Sequence, residues 1–152
     1  MRHKVQVHPL PKADFDAIYA RVPRLTVEVL LELEGGLVLA RRDIEPCVGQ
    51  WHIPGGTVHF GESLPAAVRR VALVELGVEV TPGALVGYIE YPRMHADGYP
   101  GWPVGMAFTA TRVSGDLSGS DMGAEVACFT AVPDDIIAEQ GEFLRAWFAR
   151  RL

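Results

Sequence analysis

GGTVHFGESLPAAVRRVALVELGV, Gly55 to Val78, decides the fold of this chain. The stretch joins a Gly-Gly pair to a segment marked for a helix at both ends. Ser63 offers a hydroxyl N-cap, Pro65 falls in the first turn where its missing N–H is harmless, and Gly77 stands where a left-handed residue closes a helix. Between them Leu64, Ala67, Val68, Val71, Ala72, Val74 and Leu76 make the helix apolar around much of its circumference, which predicts that it is packed between layers. The remaining residues keep a register: Gly56, five residues, Glu62, seven residues, Arg70, then Glu75 and Gly77. Glu62 and Arg70 fall about two helical turns apart, on one face if Glu62 stands at the helix start, and predict a supporting ion pair. Glu75 lies in the last turn, where the carbonyl end of the macrodipole disfavours an anion, so a metal ion or an arginine beside it would relieve the conflict. The Gly55-Gly56 pair reads as a turn, and a backbone without side chains can approach phosphate or metal closely.

Outward from this segment the chain alternates between two periods. Lys12 to Ala20 is a short amphipathic helix with Phe15, Ile18 and Tyr19 on one side. Leu25 to Leu33 alternates apolar and polar, which predicts a half-buried strand turned by Gly35-Gly36 into Leu37 to Arg41. Asp43 to Gln50 is a loop with Pro46 and Gly49, and Trp51 to Ile53 a short strand. Val78 to Tyr91 and Val104 to Val113 are longer strands separated by a Pro- and Gly-rich loop, Pro92 to Pro103. Glu125 to Ala131 is a further strand, and Asp134 to Leu152 holds a helix with Phe143, Leu144, Trp147 and Phe148 inward. The order predicts an α/β fold over residues 1–152 as one domain, a mixed sheet between helices, with residues 1–24 an N-terminal arm.

Composition excludes several classes of function. A net charge of −5 argues against a binder of nucleic-acid polymers, whose affinity comes from phosphate neutralisation. The most apolar stretch, Leu25 to Ala40, is interrupted by Glu28, Glu32 and Glu34, so no membrane span is expected. Arg2, His3 and Lys4 lack an apolar run behind them, which predicts a cytoplasmic protein. Cys47 and Cys128 are isolated and predict reduced thiols in place of a zinc site or a disulfide.

The register, the run Gln50-Trp51-x-Ile53-Pro54-Gly55-Gly56 and the Arg41-Arg42 pair before it resemble the signature of the Nudix hydrolases. Val71 and Val74 stand at the first two glutamates of that signature, and Glu75 at the last. Keeping only the last is similar to the GDP-mannose mannosyl hydrolase branch, as are Asp14-Phe15, Pro23, Leu25 and Glu28, and the likeness covers roughly Lys12 to Val80. The resemblance implies a Nudix fold and one Mg²⁺, with Mn²⁺ as a substitute, held by the Gly55 carbonyl and Glu75. It implies that Arg42 and Arg70 stabilise a departing diphosphate, that Asp14 and Glu28 lie on the substrate side, and that water attacks the sugar carbon to release GDP.

The branch also carries an arginine directly after the Gly pair, where this chain has Thr57. Its histidine base lies in a loop matching Ser118 to Glu125, which here has no histidine. His95 in the Pro92 to Pro103 loop is the first replacement, beside His59, Asp97, Asp121 and Glu125. Tyr91, Tyr99 and Trp102 would stack on a base or sugar, or pin the loop. The expected partner is a small nucleoside diphosphate derivative such as a nucleotide sugar. Hydrolysis at phosphorus and a catalytically inactive nucleotide-binding or regulatory module remain as alternatives. The arm before Leu25 would allow exchange within a homodimer.

Overall fold

β1 (Arg24–Leu33) is the strand around which the other elements are arranged in the computed structural model, which describes residues 8–119 and 125–150. It turns into β2 (Gly36–Arg41), which carries β3 (Trp51–His52) antiparallel to it, and it pairs with β4 (Gly55–Thr57), also antiparallel. Helix α2 (Leu64–Leu76) and β5 (Glu79–Glu90) follow, and β5 runs antiparallel to β6 (Pro103–Ser114). β6 lies parallel to β1 from Arg24–Pro103 to Leu31–Ala110. β7 (Val126–Phe129) returns to β2, and α4 (Ala138–Arg150) ends the described chain. The result is the expected mixed sheet with helices on both faces.

The helix ends form as their residues dictate. Ser63 Oγ accepts the Ala66 N–H at 3.2 Å, and Gly77 closes α2 with φ 71°. The β1–β2 hairpin uses Glu34 and Gly35, with φ 54° and 78°, as the two positive-φ residues that a tight turn matching strand twist needs. The turn is thus one residue earlier than the Gly35-Gly36 reading, and Gly36 already belongs to β2, against the Phe129 backbone.

Three further expectations are corrected. β1 is buried on both faces, because α2 covers Val27, Val29 and Leu31 while Leu30 belongs to the core beneath α4; its polar residues Thr26 and Glu28 are buried as well. α2 is an outer layer with one buried face, Ala67, Val68, Val71, Ala72 and Leu76; Leu64 and Val74 of the apolar set are only half-buried, and Leu73 is 55% exposed. The Pro92 to Pro103 stretch contains a short helix, α3 (Pro92–Ala96), with proline in its first turn.

The second core joins Leu144 and Trp147 of α4, with Phe143 and Phe148 packed alongside, to Leu30, Leu39 and Ile89. The residues before α4 run extended, with Ile136 bridging Trp51, so the helix starts later than Asp134. In the arm, α1 (Lys12–Tyr19) has no buried side chain but turns Phe15 and Tyr19 toward His8. His8 in turn meets His59, so the arm lies on its own chain.

Candidate functional site

The Gly55-Gly56 pair belongs to a strand, not a turn, and the register explains both glycines. Gly55 lies opposite Glu28 and Gly56 opposite Val27. A Cβ on Gly55 would collide with the Glu28 carboxylate and stand 2.8 Å from the Val27 carbonyl; one on Gly56 would press Val71 Cγ2 at 3.1 Å. Gly105 of β6 makes room for the same carboxylate from the other side. Val58 N–H donates to the Leu25 carbonyl and Val29 N–H to the Pro54 carbonyl, which brackets Val27–Gly56 as the hydrogen-bonded pair of this ladder. Glu28–Gly55 is then a pair without ladder bonds, and the Gly55 carbonyl points away from β1.

Glu28 is held by a buried chain of hydrogen bonds that reaches α4. The Ile53 N–H donates to Gln140 Oε1 at 2.7 Å, Gln140 Nε2 donates to the Tyr91 hydroxyl at 2.9 Å, and that hydroxyl donates to Glu28 Oε1 at 2.9 Å. Each link fixes the next, since the amide oxygen can only accept and the amide nitrogen only donate. Burial raises the Glu28 pKa from 4.5 to about 7 against the opposing pull of Tyr91, Thr26 and Arg24. Burial, with the Glu28 charge beside it, holds the Tyr91 phenol well above its ordinary value, so it stays a donor. Tyr91 is therefore a core residue and not a stacking platform for a base. No pattern in the sequence marked Gln140 or Tyr91 for this contact, which crosses 49 positions.

Arg70 and Glu62 form the predicted pair. Arg70 Nε and Nη2 donate to the two Glu62 oxygens at 2.8 and 3.0 Å, and Nη2 also donates to the Thr57 carbonyl at 2.7 Å. Glu62 Oε1 accepts the His59 N–H at 3.1 Å, and the Arg70 contact is the chief cause that holds its carboxyl below the usual range. These bonds tie the loop after β4 to α2, so the guanidinium serves to organise that loop. Val71, at a signature glutamate position, is 2% exposed within the apolar core. Val74 is half-buried, and Glu75 is buried at 7% in the last turn of α2.

Among the described residues there is no group of three His, Cys, Asp or Glu side chains that could hold a metal ion. The oxygens of Glu75 and Gly55 are chemically suited to one hard cation whose remaining positions go to water and phosphate.

The other sequence candidates fall around the start of β1. Arg24, which sequence reasoning missed, donates through Nη1 to Thr57 Oγ1 at 2.7 Å and through Nη2 to the Tyr99 hydroxyl, with its Cζ 5.6 Å from the ring centroids of Phe15 and Tyr99. Arg42 is half-buried and donates to the Pro46 carbonyl at 2.5 Å; burial lowers its pKa, and Tyr99 and Arg24 are among its electrostatic neighbours. His95 is exposed, its Nδ1 3.0 Å from the Gly101 carbonyl and its ring edge-on to Trp102. A carbonyl can only accept, so Nδ1 carries a proton, and in the neutral ring the lone pair is then on Nε2. His95, Trp102 and Tyr19 help line a cavity of about 280 Å³ between the arm and the loop after α3. Trp102 is 39% exposed there, and Asp14 is exposed on α1.

Asp97 ends α3, exposed, and Glu125 pairs with Arg41 at 3.5 Å. Asp121 lies outside the described residues.

A family model described as NUDIX domain matches residues 22–149. The low-salt glycan biosynthesis protein Agl8 of Haloferax volcanii is 43% identical over 82 residues, 54% of this chain and 53% of that protein. An ADP-ribose pyrophosphatase of Methanocaldococcus jannaschii is 26% identical over 107 residues, 70% of this chain and 62% of that one. The chain thus spans about half to three-fifths of the length of these curated relatives. Among solved structures, a NUDIX hydrolase from Nitrosomonas europaea superposes with a TM-score of 0.73 at 25% identity, covering 86% of this chain and 73% of the other. A MutT protein from Methanosarcina mazei gives 0.73 at 22% identity, covering 85% and 95%, and shows the shared fold. No helix among the described residues is long and apolar enough to cross a membrane.

Proposed function

This chain belongs to the NUDIX domain family, and we propose that it is a Nudix-type hydrolase of a nucleoside diphosphate linked to a second group, with nucleotide sugars such as GDP-mannose as the substrate class. The observation that carries the reading is the Gly55 carbonyl, turned out of the sheet beside the buried Glu28. Gly55 and Glu75 would hold one Mg²⁺, with Mn²⁺ as a substitute, and the bound ion would neutralise charge on the diphosphate. Arg42 lies at the loop beside Tyr99 and can add a fork of donors to the diphosphate. Arg70 acts through the loop it braces, keeping Thr57 and the β4 backbone in place.

In this reading the group beyond the diphosphate enters the cavity walled by Trp102 and His95, where the His95 Nε2 lone pair accepts the proton of the attacking water. Tyr99 keeps Arg24 in position, Glu28 supports the floor beneath Gly55, and Asp14 on the exposed face of α1 would meet the substrate from the arm. The 43% identity to a protein named for glycan biosynthesis favours a sugar as that group.

The test is Mg²⁺-dependent turnover of a panel of nucleotide sugars, ADP-ribose and nucleoside triphosphates in ¹⁸O-labelled water. Label on the released sugar marks attack at carbon, and label on a phosphate marks attack at phosphorus. Absence of any turnover in that panel sinks the enzyme reading and leaves a nucleotide-binding module.

A further inference from the structure

Arg24 is a buried cation with no acid in direct contact. It is 9% exposed, and no described carboxylate lies within ion-pair distance of its guanidinium. Its contacts are neutral: the hydroxyls of Thr57 and Tyr99, and the rings of Phe15 and Tyr99. Two of the five guanidinium N–H groups are taken by these bonds, and the other three have no hydrogen-bond partner among the described residues. Among the neighbouring charges, Arg42 and His8 add to the excess, and the more distant Glu28 carboxyl offsets it only in part because its own burial favours the neutral form. A buried guanidinium whose contacts are hydroxyls and rings is only partly compensated for the water it has lost. An anionic ligand would supply the missing charge.

The position selects the ligand. Arg24 is fixed on Thr57, whose Cα stands two residues, about 7 Å, along β4 from that of Gly55. That separation is close to the length of a diphosphate group, and both Thr57 and Gly55 face the same side of the strand. We propose that Arg24 is a diphosphate-binding residue, its fork closing on the phosphoryl group farther from Gly55 while Thr57, Tyr99 and Phe15 hold the guanidinium in orientation. The assignment rests on the substrate reading above. It gives the arm a role, since Phe15 of α1 forms one wall of the arginine's slot.

The test compares guanosine, guanosine monophosphate and guanosine diphosphate by calorimetry on wild type, Arg24→Met and Arg24→Lys, with melting temperatures measured without ligand. Arg24→Met should lose at least about tenfold in affinity for the diphosphate while guanosine binding stays put, and Arg24→Lys should fall between. Without ligand, Arg24→Met should melt at or above the wild-type temperature, because the charge it removes had no acid in ion-pair contact. A merely structural arginine would give the opposite sign. If Arg24→Met does not fold, Arg24→Lys decides by the same ratio of diphosphate to guanosine affinity. A ratio unchanged in a folded variant overturns the assignment alone, whereas a wild-type protein with no preference for the diphosphate overturns the substrate reading with it.

Discussion

Val27, Val29 and Leu31 leave β1 toward α2 and meet Val68, Val71 and Leu76, whereas Arg24, Thr26 and Glu28 leave the same strand on the other side and meet Thr57, Tyr91 and Tyr99. Both sets are buried apart from a few atoms. The first face is satisfied by contact alone. The second needs a donor or acceptor for each polar atom and uses Gln140 from α4 to supply one. The difference shows how a signature glutamate position can hold valine: Val71 belongs to the apolar face, and the buried polar side chains lie on the other side of β1 and in the last turn of α2. Substitutions that exchange the character of the two faces are the way to test this division.

The largest effect is expected at Glu75, the carboxylate that α2 retains at its end. Glu75→Gln keeps the shape and removes the charge, and turnover should drop on the order of 10³-fold if that carboxylate holds the metal. Steady-state kinetics across a Mg²⁺ titration checks it. Unchanged turnover would move the chemistry wholly to the β1 face.

Val71→Glu writes the signature residue back into the apolar face. A carboxylate at a 2% exposed site among Ala67, Val68 and Leu76 should lower stability by about 3 to 4 kcal/mol, read as a fall in the urea midpoint. Recovery of that stability on adding Mn²⁺ would show that the face can still accept a second ion, and would break the division proposed above.

The β1 face should respond to pH where the α2 face does not. The folded-state pKa of Glu28 is raised from 4.5 to about 7, so between those values the folded chain binds more protons than the unfolded one. Its contribution is complete below pH 4.5 and is lost as the pH rises through about 7, an effect of roughly 3 kcal/mol. Unfolding free energies at several pH values, without metal, should show this decline in the wild type and a flatter profile in Glu28→Gln. An equal slope in both proteins would refute it.

Sequence patterns reached these two faces unequally. Ser63, Pro65 and Gly77 marked the ends of α2 correctly because capping is local chemistry, and the Glu62–Arg70 pair was legible because eight positions along one helix start set its spacing. Apolar runs gave the strands of the mixed sheet. Periodicity failed for β1, whose alternating glutamates and threonine suggested a wet face where α4, Tyr91 and Tyr99 instead cover it. It also failed for Gly55-Gly56, since a strand that needs glycine to clear Glu28 and Val71 is indistinguishable, in sequence, from a turn. Arg24 and Gln140 were missed because their partners are 33 or more positions away, and only the folded chain brings them together. The family resemblance indicated Gly55, Glu75, Arg42 and Arg70, but gave no sign of the buried support under Glu28.

Tyr91→Phe gives the smallest of the expected effects and the sharpest view of that support. The substitution keeps the ring in its core contacts and removes only the hydroxyl that joins Gln140 to Glu28. Glu28 then loses a donor that favours its charged form, so its pKa should rise further and the pH-dependent decline in stability should extend to higher pH. Gln140 Nε2 also loses its acceptor inside the core, and the two losses together should lower stability by about 1 to 2 kcal/mol near neutral pH. Urea unfolding at two pH values checks both parts at once: the deficit should be larger at pH 7 than at pH 5, because only the ionised carboxylate depended on the missing hydrogen bond. A deficit independent of pH would mean that the hydroxyl serves packing alone, and that the polar face is no more tuned than the apolar one.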